Sequence, residues 1–187
     1  MTQKIFTLAN QLTLLRLLLI PFFALAILGE HYDWGLGVLL AAALTDFLDG
    51  LLARRLEQRT VLGTTLDPIA DKLLLSTSFI VLAVRGVVPW WVSILVLSRD
   101  ALMLVTALAL VLSTEFRPFP PSAFGKACTA VQVVTVVVAV VAELAPANVL
   151  LWTELILFWL TTCLTVLSGV HYAYRTAKQL SDTPSSA

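Results

Sequence analysis

The chain has 187 residues, of which 59% are hydrophobic and only 13% are charged, and its formal net charge is zero. A mean hydropathy of +0.92 lies outside the range of soluble globular proteins, so the composition predicts a single integral membrane domain. The zero net charge gives no indication of a nucleic-acid partner.

Six apolar stretches are candidates for helices that cross about 30 Å of hydrocarbon. They lie at residues 12–29, 34–56, 69–88, 89–112, 124–144 and 149–174. We therefore expect an all-α membrane protein with six transmembrane helices, formed by one domain over residues 1–180 and followed by a disordered tail over 181–187. A cleaved signal peptide is an alternative for the first stretch, although Arg16 interrupts its apolar run.

Basic residues are distributed unevenly among the predicted loops. The loops on one side hold Glu30, Asp33 and Glu143 and only one basic residue, Arg85. The N-terminus, the second and fourth loops and the C-terminus hold Lys4, Arg54, Arg55, Arg59, Lys72, Arg117, Lys126, Arg175 and Lys178. By the positive-inside rule, both termini face the cytoplasm, in what we expect to be a bacterial cytoplasmic membrane.

Four aspartates, Asp46, Asp49, Asp67 and Asp71, lie within a strongly apolar region. Because an aspartate at the centre of a membrane helix costs about 2.5 to 3.5 kcal/mol on insertion scales, four of them predict a function. Spacings of three and four residues place each pair on one helix face, and a turn over residues 52–65 lets the two faces meet. Converging carboxylates repel one another, so the pattern predicts a site for Mg²⁺, Mn²⁺ or Ca²⁺ that takes a phosphate substrate.

The residues between these pairs also suit a phosphate ligand. Gly50 and Gly63 have no side chain to obstruct a bulky ligand, and Arg54 can direct its guanidinium at a phosphate. The complete pattern resembles the signature of the CDP-alcohol phosphatidyltransferase family; it is Asp46-x2-Asp49-Gly50-x2-Ala53-Arg54-x8-Gly63-x3-Asp67-x3-Asp71.

The resemblance implies transfer of a phosphatidyl group from CDP-diacylglycerol to an alcohol, with release of CMP and without a covalent enzyme intermediate. It implies two divalent ions, Mg²⁺ or Mn²⁺, held by the four aspartates. It also implies that Asp71 is the base that takes the proton from the acceptor hydroxyl, and that the protein is a homodimer. The positive-inside rule places the aspartates, and with them the active site, on the cytoplasmic side. The cytidine diphosphate site implied by the family comprises Gly50, Ala53, Arg54, Gly63 and Thr64.

The acceptor alcohol is predicted from residues outside the signature. Segments 10–16 and 125–132 resemble both phosphatidylglycerophosphate synthases and cardiolipin synthases of the family, whereas Ser98-Arg99-Asp100 and segment 168–175 resemble cardiolipin synthases. Glycerol 3-phosphate brings a dianion, yet no second arginine follows Arg99 before residue 112. We therefore expect phosphatidylglycerol as the acceptor, with glycerol 3-phosphate as the alternative. The candidate acceptor-binding residues are Arg99, Arg117 and Lys126.

Other interpretations of these polar residues remain open from the sequence. A cation transporter or channel is the rival class, because carboxylates within a membrane also mark cation pathways, although here they cluster at one end of two adjacent helices. Arg99 and Asp100 are adjacent and point about 100° apart on a helix, so they could instead form separate structural ion pairs. Thr13 and Arg16 share one face of the first helix with Asn10, and either substrate contact or capping at the interface explains them.

Overall fold

The computed structural model describes the backbone of residues 8–56, 61–112 and 123–182, and side chains at residue 11 and over 13–46, 69–105 and 124–174. Within the described backbone, all regular secondary structure is α-helical. Its helices are α1 Leu8–Leu28, α2 Tyr32–Leu56, α3 Val61–Val84, α4 Trp90–Leu112, α5 Ala123–Leu144 and α6 Asn148–Asp182.

The helices coincide with the six predicted apolar stretches, so the all-α prediction is confirmed. The turn between α3 and α4 contains Gly86 with a φ of 76°, a conformation that glycine adopts without steric cost. The largest differences from expectation are that α3 begins at Val61 rather than at 69 and that α6 ends at Asp182 rather than at 174. Hydropathy predicted only the apolar portion of each helix, whereas helical hydrogen bonding continues through the polar flanks. Residues 183–187 of the predicted tail lie outside the described residues.

An apolar core joins helices from both halves of the chain. Phe23 and Ile27 of α1 and Phe79 and Leu82 of α3 are fully buried and belong to one cluster. The same cluster contains Val92, Val96, Val136, Val140 and Phe158 from α4, α5 and α6. In a lipid environment, such side chains stabilise the fold mainly through close van der Waals packing.

Helix α2 approaches α1 closely at Gly35. A Cβ atom at this position would lie 2.6 Å from Cδ1 and 3.3 Å from Cγ1 of Ile27. A Cβ atom at Gly37, one half-turn along the same helix, would meet nothing within 4 Å. The missing side chain at residue 35 therefore allows the two helices to pack, as small residues do in membrane proteins.

We expect Gly35→Leu to lower the free energy of unfolding by about 1 to 3 kcal/mol, because the added side chain overpacks the contact with Ile27. Gly37→Leu is the matched control, since it introduces the same side chain into open space. Thermal unfolding in detergent should give a lower Tm for Gly35→Leu than for Gly37→Leu. Equal Tm values would show that the α1–α2 contact is not tight.

Two described segments are long and apolar enough to cross a membrane, Phe124–Leu144 in α5 and Asn148–Tyr174 in α6, and a shorter apolar stretch, Thr13–Leu28, lies in α1. Large apolar side chains such as Leu25, Val149 and Trp152 are exposed on the outside of the bundle. A lipid phase would cover such surfaces. Membrane crossing by the six helices stays a prediction.

Helices α5 and α6 are joined by buried polar side chains. The hydroxyl oxygens of Thr135 and Thr161 lie 2.7 Å apart, and Nε2 of Gln132 donates to Oγ1 of Thr165 at 3.4 Å. Hydrogen bonds between helices add to packing where no water competes. This polar contact fixes α6 beside α5 and leaves Ser168, further along α6, near α4.

Candidate active site

A buried arginine of α1 connects α2 and α3. Nη2 of Arg16 donates to Oδ1 of Asp46 in α2 at 2.9 Å, and Nη1 donates to Oδ1 of Asp71 in α3 at 2.5 Å. Only 1% of the Arg16 side chain is exposed, compared with 59% for Asp46 and 47% for Asp71. The guanidinium is thus enclosed while both carboxylates remain accessible to a ligand.

The position of Arg16 follows from the periodicity of α1. Thr13, Arg16, Phe23 and Ile27 are all buried and recur at spacings that place them on one helix face. The apolar members of this face join the core, which holds the face against α2 and α3. A buried charge is tolerated only with good partners, and the two aspartates supply them.

The two carboxylates line a cavity of about 250 Å³ between α1, α2, α3 and α5. Apart from Arg16, Asp46, Asp71 and Thr129, its walls are apolar; they comprise Leu39, Leu40, Ala42, Ala43, Leu74, Leu75, Val133, Val136 and Val137. An acidic group beside an apolar cavity suits a ligand with a charged head and an apolar tail.

The other two predicted aspartates lie on the same helices. Asp49 follows Asp46 within α2, and Asp67 precedes Asp71 within α3, at spacings that place each pair on one face. Their side chains lie outside the described residues, as do those predicted for the cytidine diphosphate site, Gly50, Ala53, Arg54, Gly63 and Thr64. Among the described side chains, no three potential metal ligands lie together.

The described part of the site fits a divalent cation. Asp46 and Asp71 come from different helices and contact the same guanidinium, so the two carboxylates lie close together. One guanidinium offsets only one of their two negative charges. Carboxylate oxygens are the donors that Mg²⁺ and Mn²⁺ prefer. Asp49 and Asp67 would complete the oxygen ligands.

The predicted acceptor residue Arg99 belongs to a second polar cluster. Its Nη1 donates to Oδ1 of Asp100 at 2.7 Å, and its Nη2 donates to Oγ of Ser168 in α6 at 2.8 Å. Lys72 of α3 donates to the same Asp100 oxygen at 2.7 Å. Arg99 and Asp100 are both buried, so this cluster ties α4 to α3 and α6. An acceptor-binding role for Arg99 remains a prediction.

The structure gives no binding partner for the other two acceptor candidates, Lys126 and Arg117, within the described residues. Lys126 is exposed near the start of α5, and Arg117 lies outside the described residues. For Arg16, the sequence is consistent with either substrate contact or capping at the interface. The signal for its importance is that it is the single charged residue of α1, one turn after Thr13, but nothing in the sequence identifies Asp46 and Asp71 as its partners.

The family of the chain is shown by a match over most of its length. Residues 6–167 match the model of the family described as CDP-alcohol phosphatidyltransferase. The chain belongs to this family. The chain is therefore a transferase enzyme, and its family is generally dependent on divalent metal and uses CDP-diacylglycerol with an alcohol acceptor.

Relatives of this phosphatidyltransferase carry two kinds of name. A Mycobacterium bovis protein named provisionally as a cardiolipin synthase is 39% identical over 127 residues, which cover 67% of this chain and 60% of that protein. A Mycobacterium tuberculosis protein named provisionally as a phosphatidylglycerophosphate synthase is 36% identical, with 95% of this chain and 85% of that protein covered. A Bacillus subtilis CDP-diacylglycerol–glycerol-3-phosphate 3-phosphatidyltransferase is 33% identical, with 89% and 93% covered.

Proposed function

We propose that this chain transfers a phosphatidyl group from CDP-diacylglycerol to an alcohol and releases CMP. The observation that carries the proposal is the convergence of Asp46 and Asp71 on one guanidinium at the wall of an apolar cavity. CDP-diacylglycerol has a diphosphate head, which requires charge neutralisation, and apolar acyl chains, which require an apolar surface. Divalent ions held by the carboxylates would meet the first requirement, and the apolar cavity meets the second.

In the proposed site, Asp46, Asp49, Asp67 and Asp71 hold two divalent ions, Mg²⁺ or Mn²⁺. Bound at these carboxylates, the ions would neutralise charge on the diphosphate and on the departing CMP. Asp71 takes the proton from the acceptor hydroxyl as that oxygen attacks the phosphorus of the lipid phosphate, and the bond from this phosphorus to the bridging oxygen breaks, so that the oxygen leaves with CMP. Its accessible carboxylate, 47% exposed, can be reached by an acceptor. Gly50, Ala53, Arg54, Gly63 and Thr64 bind the cytidine diphosphate group.

We propose phosphatidylglycerol as the acceptor, so that the product is cardiolipin. Glycerol 3-phosphate would need cations for a dianionic phosphate, whereas phosphatidylglycerol carries one negative charge and two acyl chains. Arg99 and Lys72 both donate to Asp100, whose negative charge offsets part of their positive charge. Less positive charge is then available for a dianionic acceptor.

Glycerol 3-phosphate is the second candidate acceptor. The relatives from Mycobacterium tuberculosis and Bacillus subtilis support it, because their names describe formation of phosphatidylglycerophosphate or transfer to glycerol 3-phosphate. The relative from Mycobacterium bovis supports phosphatidylglycerol instead. The two reactions share the donor and the release of CMP, and they differ only in the acceptor.

We expect purified protein with CDP-diacylglycerol and Mg²⁺ or Mn²⁺ to make cardiolipin when it is given phosphatidylglycerol. Each acceptor is offered separately, the lipid product is identified by mass, and CMP is measured in the same sample. Chelation of divalent ions should stop CMP release with either acceptor. Formation of phosphatidylglycerophosphate alone would assign the second acceptor, and absence of CMP release in all samples would contradict phosphatidyl transfer.

We further propose that the protein is a homodimer and that all six helices cross a bacterial cytoplasmic membrane. Both termini and the aspartates then lie on the cytoplasmic side. The ion pair of Glu30 with Arg85 supports this orientation, because it places the α1–α2 and α3–α4 connections at one end of the bundle. Asp46 lies 14 residues after Tyr32 in α2, about 21 Å towards the other end. Labelling of introduced cysteines from each side of the membrane tests the topology, and cross-linking tests the dimer.

A further inference from the structure

Among the described residues, Arg16 is a buried cation that pairs with two carboxylates, whereas the buried Arg99 pairs with one. The guanidinium of Arg16 contacts two carboxylates that the family resemblance assigns to divalent ions, and these carboxylates belong to different helices. Its Nε atom is buried without a hydrogen-bond partner among the described residues. Within the described residues, the guanidinium of Arg16 therefore hydrogen-bonds to Asp46 and Asp71.

We propose that Arg16 is a built-in counter-ion that competes with divalent cations for the carboxylates of Asp46 and Asp71. This inference rests on the proposed function, because it takes the two aspartates as metal ligands. The guanidinium lies 2.9 Å from Oδ1 of Asp46 and 2.5 Å from Oδ1 of Asp71. A divalent cation would be held by the same two carboxylates.

Two effects follow from a positive charge in this place. It offsets the repulsion between the carboxylates, and so holds α2 and α3 in register for the site. It also lowers the affinity for any further cation, since like charges repel strongly where water is scarce. Arg16 is therefore a positioning residue that sets how tightly the ions bind.

Titration of Mn²⁺ in detergent, without lipid substrate, tests the inference. Free Mn²⁺ is measured by electron paramagnetic resonance for the wild type, Arg16→Met and Arg16→Lys. Removing the charge should lower the Kd for Mn²⁺ by about tenfold or more, which corresponds to about 1.4 kcal/mol. Arg16→Lys keeps the charge and should stay within about threefold of the wild type.

Arg85→Met is the matched control, because it removes the same charge from a pair with Glu30 at the other end of α3. Arg85 lies 14 residues after Asp71, about 21 Å along the helix, so its loss should leave the Kd for Mn²⁺ unchanged. If Arg16→Met does not fold, Arg16→Gln replaces it, since the amide donates to one carboxylate without carrying charge. The same tightening is expected.

A second readout is thermal unfolding with and without Mn²⁺. The increase in Tm on adding Mn²⁺ should be larger for the uncharged variants than for the wild type, because tighter binding stabilises the folded state more. Mn²⁺ affinity in the uncharged variants equal to or weaker than in the wild type would overturn the counter-ion role alone. Absence of Mn²⁺ binding to the wild type, or binding that survives Asp46→Asn with Asp71→Asn, would overturn the metal site as well.

Discussion

Asp71→Asn is expected to lower the rate of CMP release from CDP-diacylglycerol by about a thousandfold or more. Asparagine has nearly the same shape as aspartate and still offers Oδ1 to Arg16, but it cannot take a proton from the acceptor and is a poorer ligand for a divalent ion. The measurement is radiolabelled CMP released by purified, folded protein with the acceptor in excess.

Two further variants separate the roles of the carboxylates. Asp33→Asn is the matched control, because Asp33 is exposed at the start of α2, far from Asp71, and its loss should leave CMP release unchanged. Asp46→Asn should also be slow, but excess Mn²⁺ should restore part of its rate, since Asp46 is proposed only as a metal ligand. Asp71→Asn should not recover. A rate for Asp71→Asn above about a tenth of the wild type would contradict its role as the base.

The sequence predicted the helices well because hydropathy reports the apolar stretches that lipid or a core requires. The backbone of α2 contains Asp46 and Asp49 and that of α3 contains Asp67 and Asp71, and spacings of three and four residues give each pair a shared face on a helix. The sequence did not predict the contact of Arg16 with Asp46 and Asp71. That contact spans 30 and 55 residues along the chain, and it depends on how α1 packs against α2 and α3. Packing at this range has no local signal.

The pairing of Arg99 shows a second limit of inference from the sequence. Adjacent residues on a helix point about 100° apart, which led us to consider separate ion pairs for Arg99 and Asp100. In the structure, the long arginine side chain reaches its neighbour, while Lys72 reaches the same carboxylate from α3. Helical geometry fixes the direction of a Cα–Cβ bond, but not the position of a guanidinium several rotatable bonds away. The third partner, Ser168, comes from a helix that packs there for other reasons.

The carboxylate of Asp100 is the other position at which we expect a large effect. Asp100→Asn should lower the free energy of unfolding by about 3 to 5 kcal/mol, because it leaves the buried Arg99 without a charged partner. Only 5% of each of these two residues is exposed, so water cannot replace the lost interaction. Lys72 is about one-third exposed and can turn towards solvent, so Arg99 should account for most of the loss.

A double substitution tests whether the unpaired charge is the cause. If it is, Asp100→Asn combined with Arg99→Met should unfold at a higher temperature in detergent than Asp100→Asn alone, because the second change removes the buried charge. Glu30→Gln is the control for a carboxylate lost from an exposed pair, with Arg85, and should leave Tm nearly unchanged. If Asp100→Asn and Glu30→Gln lowered Tm equally, the cluster would not stabilise the bundle. Arg99 would then be free to serve as the acceptor cation, and Arg99→Met would raise the KM for the acceptor without lowering Tm.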